Sequence, residues 1–202
     1  MSKEVVKKQI QALYKDEALE TLTNIDQFNV LLNQPPPKQW IKVNAYANNS
    51  QYLPIDKVEY LLKKLFKQYR VEVISVSSLF NSVVTHVRLH YLNPVLNEWQ
   101  YQDGVGAEQI QTKKGASPAD FQNINNNALA MAVPKSKVAA IKDAAHELGA
   151  IFGANLSRKD VIELKPDDVL INKKFEAEKE RMLDAIANGY EPTEQEKEYY
   201  GV

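Results

Sequence analysis

Three histidines, an unevenly placed set of lysines and no cysteine are the residues from which any chemistry must be built. His86 and His90 stand four apart in an alternating run. On a strand they share a face but sit about 13 Å apart, too far to hold one metal ion. His146 stands apart from both, and no Asp/Glu pattern near any of the three has metal-ligand spacing. Without cysteine, disulfides, thiolate nucleophiles and Cys-based zinc sites are excluded together. No nucleophile elbow and no phosphate-loop sequence occurs, so hydrolysis and ATP use both lack a candidate site. Asp103 reads as a hairpin-end residue rather than an acid. The expectation is a protein that is not an enzyme, with no catalytic residue, metal or cofactor.

What remains is cationic. Residues 1–158 hold 18 Lys/Arg against 14 Asp/Glu, and residues 159–202 hold 7 against 12. A weakly basic body with an acidic tail suits a polyanion on the first and a partner, or self-screening, on the second. Lys57, Lys63, Lys64 and Lys67 lie off the apolar face made by Val58, Leu61, Leu62, Leu65 and Phe66, and they can equally be a solvated surface. Lys113 and Lys114 fall in a glycine- and serine-containing loop over 104–120, expected to be mobile. Lys135, Lys137 and Lys142 precede His146 on one helical pattern.

The elements that position these groups follow from period and punctuation. Residues 3–22 read as a helix with one sticky side. Phe28 to Leu32 is apolar, and Pro35-Pro36-Pro37 ends any helix there. Trp40-Ile-Lys-Val43 looks like a strand or extended anchor, and Ala47-Asn-Asn-Ser50 a turn. Asp56 is a plausible cap for the lysine-rich helix. Residues 71–79 and 83–92 alternate, with Val83, Thr85, Val87, Leu89 and Tyr91 in one phase and His86, Arg88 and His90 in the other. Trp99, Tyr101 and Asp103 resume the period, giving antiparallel strands with one buried face. Pro118 to Val133 reads as a helix or broken helix that restarts after Pro134. Val138, Ile141, Ala145, Leu148 and Phe152 form its apolar face, ending near Gly153. Lys173 to Ala187 is a charged helix, and Glu191 to Val202 reads as mostly disordered, ending in a Tyr199-Tyr200 pair. The fold class is α+β: a small antiparallel sheet, a β-hairpin core, packed against helices. Residues 1–24 form an N-terminal helix, 25–157 the core, and 158–202 an acidic helix with a partly disordered tail.

Four strings, in order, carry a resemblance: Tyr52-Leu-Pro-Ile-Asp-Lys-Val58, Tyr101-Gln-Asp-Gly-Val-Gly-Ala107, Lys135-Ser-Lys-Val-Ala-Ala-Ile-Lys-Asp143 and Ile151-Phe-Gly-Ala-Asn-Leu156. Together, over residues 25 to 157, they resemble the annealing core of the Rad52-type single-strand annealing proteins, in their phage and bacterial recombination-mediator branch. That resemblance implies a ring-forming core and an inner groove for single-stranded DNA. Lys42 matches a groove arginine and Tyr52 a groove tyrosine. Lys135, Lys137, Lys142 and His146 belong to the closing helix. The family's basic cluster on that helix is largely missing, because its positions here are His146, Glu147 and Ala150. Lys57, Lys63, Lys64, Lys67, Lys113 and Lys114 are possible additional contacts. Lys42 can also be a snorkelling surface lysine, and Tyr52 a partly buried core residue. Gly104 and Gly106 serve backbone geometry rather than a phosphate, because no helix-capping phosphate motif follows them.

The implied function is ATP-independent single-stranded DNA binding and annealing of complementary strands in homologous recombination and repair. Partners would be single-stranded DNA, further copies in a ring or helical filament, and a single-strand-binding protein or exonuclease through the tail. The alternative is a non-enzymatic α+β adaptor without DNA binding. No run reaches the ~20 apolar residues of a membrane span, and the start lacks an apolar secretory core, so a cytoplasmic location is the expectation.

Overall fold

The computed structural model describes residues 16–202 except Tyr46. The expected helix over 3–22 therefore falls largely outside the described residues. The described chain divides into two compact units: one holds the residues up to Val30 together with Leu164–Val202, the other Leu31–Glu163. Helix α1 (Asp16–Leu32) crosses that boundary and stops before the three prolines, which cannot continue it.

The second unit is α+β, as the patterning predicts. A 3-10 turn (Lys38–Trp40) leads into β1 (Lys42–Asn44), which pairs antiparallel with β2 (Ser50–Tyr52). Asn48 and Asn49 supply the positive φ of the turn between them, a conformation asparagine tolerates. Helix α2 (Ile55–Phe66) follows, capped by Pro54 rather than by Asp56, which lies in its first turn. A three-stranded antiparallel sheet, order β3-β4-β5, comes next: β3 (Tyr69–Leu79), β4 (Ser82–Asn93) and β5 (Glu98–Gln109). On β4, Val83, Thr85, Val87, Leu89 and Tyr91 are buried and alternate with His86, Arg88 and His90, the phase read from sequence. A register shift between Val73 and Ser75 puts Val73 and Val76 on the same side of β3 despite their odd spacing.

Three boundaries differ from expectation. Strand β5 continues to Gln109, so Gly104 and Gly106 lie inside it and Asp103 lies mid-strand. The loop after it is folded back on itself by a bridge between Thr112 and Ile124 and by Asn125 Nδ2 donating to the Thr112 carbonyl. Residues 118–127 hold only a 3-10 turn (Phe121–Asn123), consistent with the poor helix propensity of their asparagines. Helix α3 (Ala128–His146) begins after them and runs through Pro134, which forfeits one backbone hydrogen bond. It ends at His146 rather than near Gly153; Gly149, at φ +147°, and a 3-10 turn (Ala150–Phe152) carry the chain onward.

The layers meet through small residues. Ala132, Ser136, Ala140 and Ala144 recur every four positions on α3 and are buried. Gly104 and Gly106 face them. A Cβ on Gly106 would lie 2.7 Å from the Ala139 carbonyl carbon and nearer still to Ser136 O and Ala140 N. A Cβ on Gly104 would lie 2.8 Å from the Ala144 Cβ and nearer to Ala140 O and Ala144 N. The glycines therefore let helix backbone rest directly on strand backbone. The buried hydroxyls at this seam are paired: Thr85 Oγ1 and Ser136 Oγ are 2.7 Å apart, and the Ser136 hydroxyl donates to the Val133 carbonyl. The other buried face of α3, with Ile141 and Ala145, is joined in the core by Leu62, Phe66, Leu89, Leu148 and Phe152. Phe66 packs against Phe152 and Tyr91 at centroid distances of 6.4 and 4.7 Å. Each such fully buried side chain contributes roughly 1.5–3 kcal/mol.

In the first unit, α4 (Asp168–Ala187) is N-capped by Asp167, whose own N–H donates to Asp26 Oδ2 at 3.0 Å. Helix α5 (Glu194–Tyr200) occupies a stretch that reads as mostly disordered from sequence. A capping box of Thr193 and Glu196 starts it, Gly201 ends it, and Tyr199 and Tyr200 pack on Phe175. Among the described residues, no helix is long and apolar enough to cross a membrane.

Candidate nucleic-acid interface

The β1–β2 register sets Lys42 directly opposite Tyr52. Both are exposed, so Tyr52 is a surface aromatic rather than a core one. From α3, Lys142 reaches over the Tyr52 ring, its ammonium 4.9 Å from the centroid, a cation–π contact. Burial holds the Lys142 pKa below its ordinary value, and a phosphate beside it would raise it again. Three short segments thus bring two lysines and an aromatic ring to one place.

His146 lies one turn beyond Lys142. Burial, then the Lys142 charge, push its pKa down, opposed by Asp143 and Glu147. It lines a polar cleft with Asn33, Asn155 and Arg158. By sequence Arg158 opens the acidic tail segment; chain order gives no sign that it returns to the helix end where the basic cluster is missing. Asp143 and Glu147 line the same cleft, so His146 and Arg158 face two acids there; the Asp143 carboxylate also accepts the Val105 N–H at 2.9 Å.

Lys135 is seven residues before Lys142 and so on the same helix face, two turns away. Its ammonium is 3.4 Å from Glu108, an exposed pair that a phosphate could replace. Lys137, two residues from Lys135, projects roughly 160° around the helix and does not join this face. Lys113 and Lys114 are exposed in the loop before α3. That loop meets α3 at Ala128, about 20 Å along the helix from Lys142 at 1.5 Å per residue.

On α2, Lys57 is 3.1 Å from Asp56 and 5.7 Å above the Trp40 ring, and Trp40 meets Tyr60 edge to face at 5.6 Å. Lys64 lies two turns from Lys57 on the same face, Lys63 projects to another, and Lys67 caps the helix with φ +61°. The Trp40–Tyr60 pair escaped sequence reasoning, since residues 20 apart in different elements carry no periodic signal.

The open face of the sheet is a charged lattice. Arg88 donates to both Asp103 oxygens at 2.7 and 2.9 Å and lies 4.2 Å above the Tyr101 ring. His86 faces Asp103 at 3.5 Å, and His90 faces Glu72 at 2.9 Å. Asp103 is therefore an ion-pair partner within β5 rather than a hairpin-end residue, and Arg88 holds its pKa below the usual carboxylate range. The two histidines answer to different carboxylates.

Neither a scan of protein-family models nor a search of the curated proteins finds a match for this chain. Function must therefore be argued from the site. A pair of lysines about the exposed Tyr52 ring is suited to phosphates and unstacked bases.

Proposed function

We propose that this chain is a single-strand annealing protein of the Rad52 type, binding single-stranded DNA and pairing complementary strands without nucleotide or metal. The observation that carries the reading is the meeting of Lys42, Tyr52 and Lys142. These residues are 10 to 100 positions apart in sequence, and each is expected in the groove on other grounds. Annealing needs no catalytic group. Cations hold the phosphates, and the bases stay exposed for a second strand to test. His146 and Arg158 extend the cluster, with Lys135 further along the same helix face.

Action as a homo-oligomer, a ring or helical filament, has its own support. Helix α3 lies over β4 and β5, while on the same side of β3 Val73 and Val76 stay exposed. At the hairpin tip Phe80 is 87% exposed and held at φ +53°, a conformation bulky residues rarely adopt. Leu129 and Val133 on α3 are exposed as well. Exposed apolar residues gathered on one face suit a partner surface, and a second copy placed head to tail closes into a ring or continues as a filament.

The test is annealing of two complementary dye-labelled oligonucleotides at ~50 and ~200 mM salt without nucleotide. Acceleration that fades at the higher salt is expected. No acceleration at either salt would sink the reading and leave the adaptor alternative.

A further inference from the structure

We propose that Trp40, buttressed by Tyr60 and Lys57, is a base-stacking position on a path that runs from the Lys42/Tyr52/Lys142 cluster onto α2. The inference rests on the single-strand reading above and adds where bases, rather than phosphates, are touched.

Trp40 stands two residues before Lys42, so at most about 7 Å of chain separates them. A strand gripped by Lys42 has the indole within reach of a neighbouring nucleotide. Trp40 is half-buried, and the 3-10 turn that carries it contains no fully buried residue, so the indole is not an anchor sunk into a core. Tyr60 meets it edge to face and is itself 52% exposed, leaving aromatic surface open beside the lysines. Residues 38–67 hold six lysines against two acids, and one of those acids, Asp56, is already paired with Lys57. The local field therefore favours an anion. Lysines interleaved with accessible aromatic rings suit single strands: the ammonium groups take phosphates, and the rings take bases without reading their identity. A duplex offers the same phosphates, but its bases are stacked on one another and cannot lie on an indole. Trp40 thus gives the site a means of preferring single strands over duplex.

The chain has two tryptophans, Trp40 and Trp99. In full-length protein carrying Trp99→Phe, Trp40 is the sole indole. Its emission is followed while oligo(dT) is added, and anisotropy of labelled oligo(dT) is read in parallel. Quenching of Trp40 is expected with the same midpoint as the anisotropy change, and none with a duplex of equal length. Trp40→Ala should weaken oligo(dT) binding about tenfold, with Trp40→Phe retaining most of the affinity. An anisotropy change with unaltered Trp40 emission overturns the stacking role and leaves the single-strand reading standing. No anisotropy change in any variant overturns both.

Discussion

Gly106→Ala tests the closest approach in the molecule. The added methyl would meet α3 backbone at Ser136, Ala139 and Ala140, with the Ala139 carbonyl carbon at 2.7 Å as the most distant of the three. Backbone cannot rotate aside as a long side chain can. Helix and strand must separate by about 1 Å before these contacts approach the ~3.5 Å of ordinary packing. Overpacking of a well-filled seam costs about 1–3 kcal/mol, and a rigid backbone obstacle places this change at the upper end. The same retreat stretches the Thr85–Ser136 hydroxyl contact of 2.7 Å, at a further cost of about 1 kcal/mol. For a chain of this length, about 3–4 kcal/mol corresponds to a fall in Tm of roughly 6–16 °C. Because α3 carries Lys142 to Tyr52, binding of oligo(dT) should weaken even where the variant is still folded. Thermal unfolding by circular dichroism and anisotropy titration at 20 °C read the two effects. A Tm within about 2 °C of the parent would falsify the backbone-on-backbone seam.

Lys142→Met keeps most of the stem packing and removes the charge above Tyr52. It should lower single-strand affinity and reduce the slope of log K against log salt by about 0.7; an unchanged slope would show that Lys142 holds no phosphate. His146 has a folded pKa pushed below its ordinary ~6.5, so the unfolded chain takes up the proton first as pH falls. Its contribution is therefore intact above pH ~6.5 and is lost as the pH drops through that value, levelling off below the folded pKa. Urea midpoints measured from pH 7.5 to 5 should fall less steeply for His146→Gln, and parallel curves would count against the assignment. Val76→Glu places a carboxylate on the bare face of β3 without disturbing a buried side chain. Light scattering should show a smaller assembly at unchanged Tm, and an unchanged mass would remove that face from the subunit contact.

What could be read from the chain, and what could not, divides by the range of the signal. The β4 alternation from Val83 to Tyr91 is local and strong, and the structure keeps its phase. The helix of Val58 to Phe66 and the stop at three prolines are equally local. Gly104 and Gly106 misled as punctuation because glycine marks turns and close approaches alike. Only the matching stripe of Ala132, Ser136, Ala140 and Ala144 tells the two apart, and that stripe belongs to a partner element some thirty residues on. The helix over Glu194–Tyr200 was hidden by its acidic composition, although the Thr193/Glu196 capping box stood in the sequence. At the candidate site, Lys42 lies opposite Tyr52, Lys142 lies over that ring, and His146 is one turn further along α3. Lys137 does not, for a reason of helical phase that five-residue spacing already contained. Arg158, Trp40 and Tyr60 enter only through tertiary folding.

The bond from Val105 N–H to Asp143 has a consequence for how the sheet meets other sheets. A three-stranded sheet has two open margins, and each is a template for a foreign strand. A carboxylate stationed on the β5 margin makes that side hostile to an incoming backbone, whose carbonyls it repels. At Val105 the β5 margin has no free N–H to offer, so an incoming strand finds the β3 margin the more receptive of the two.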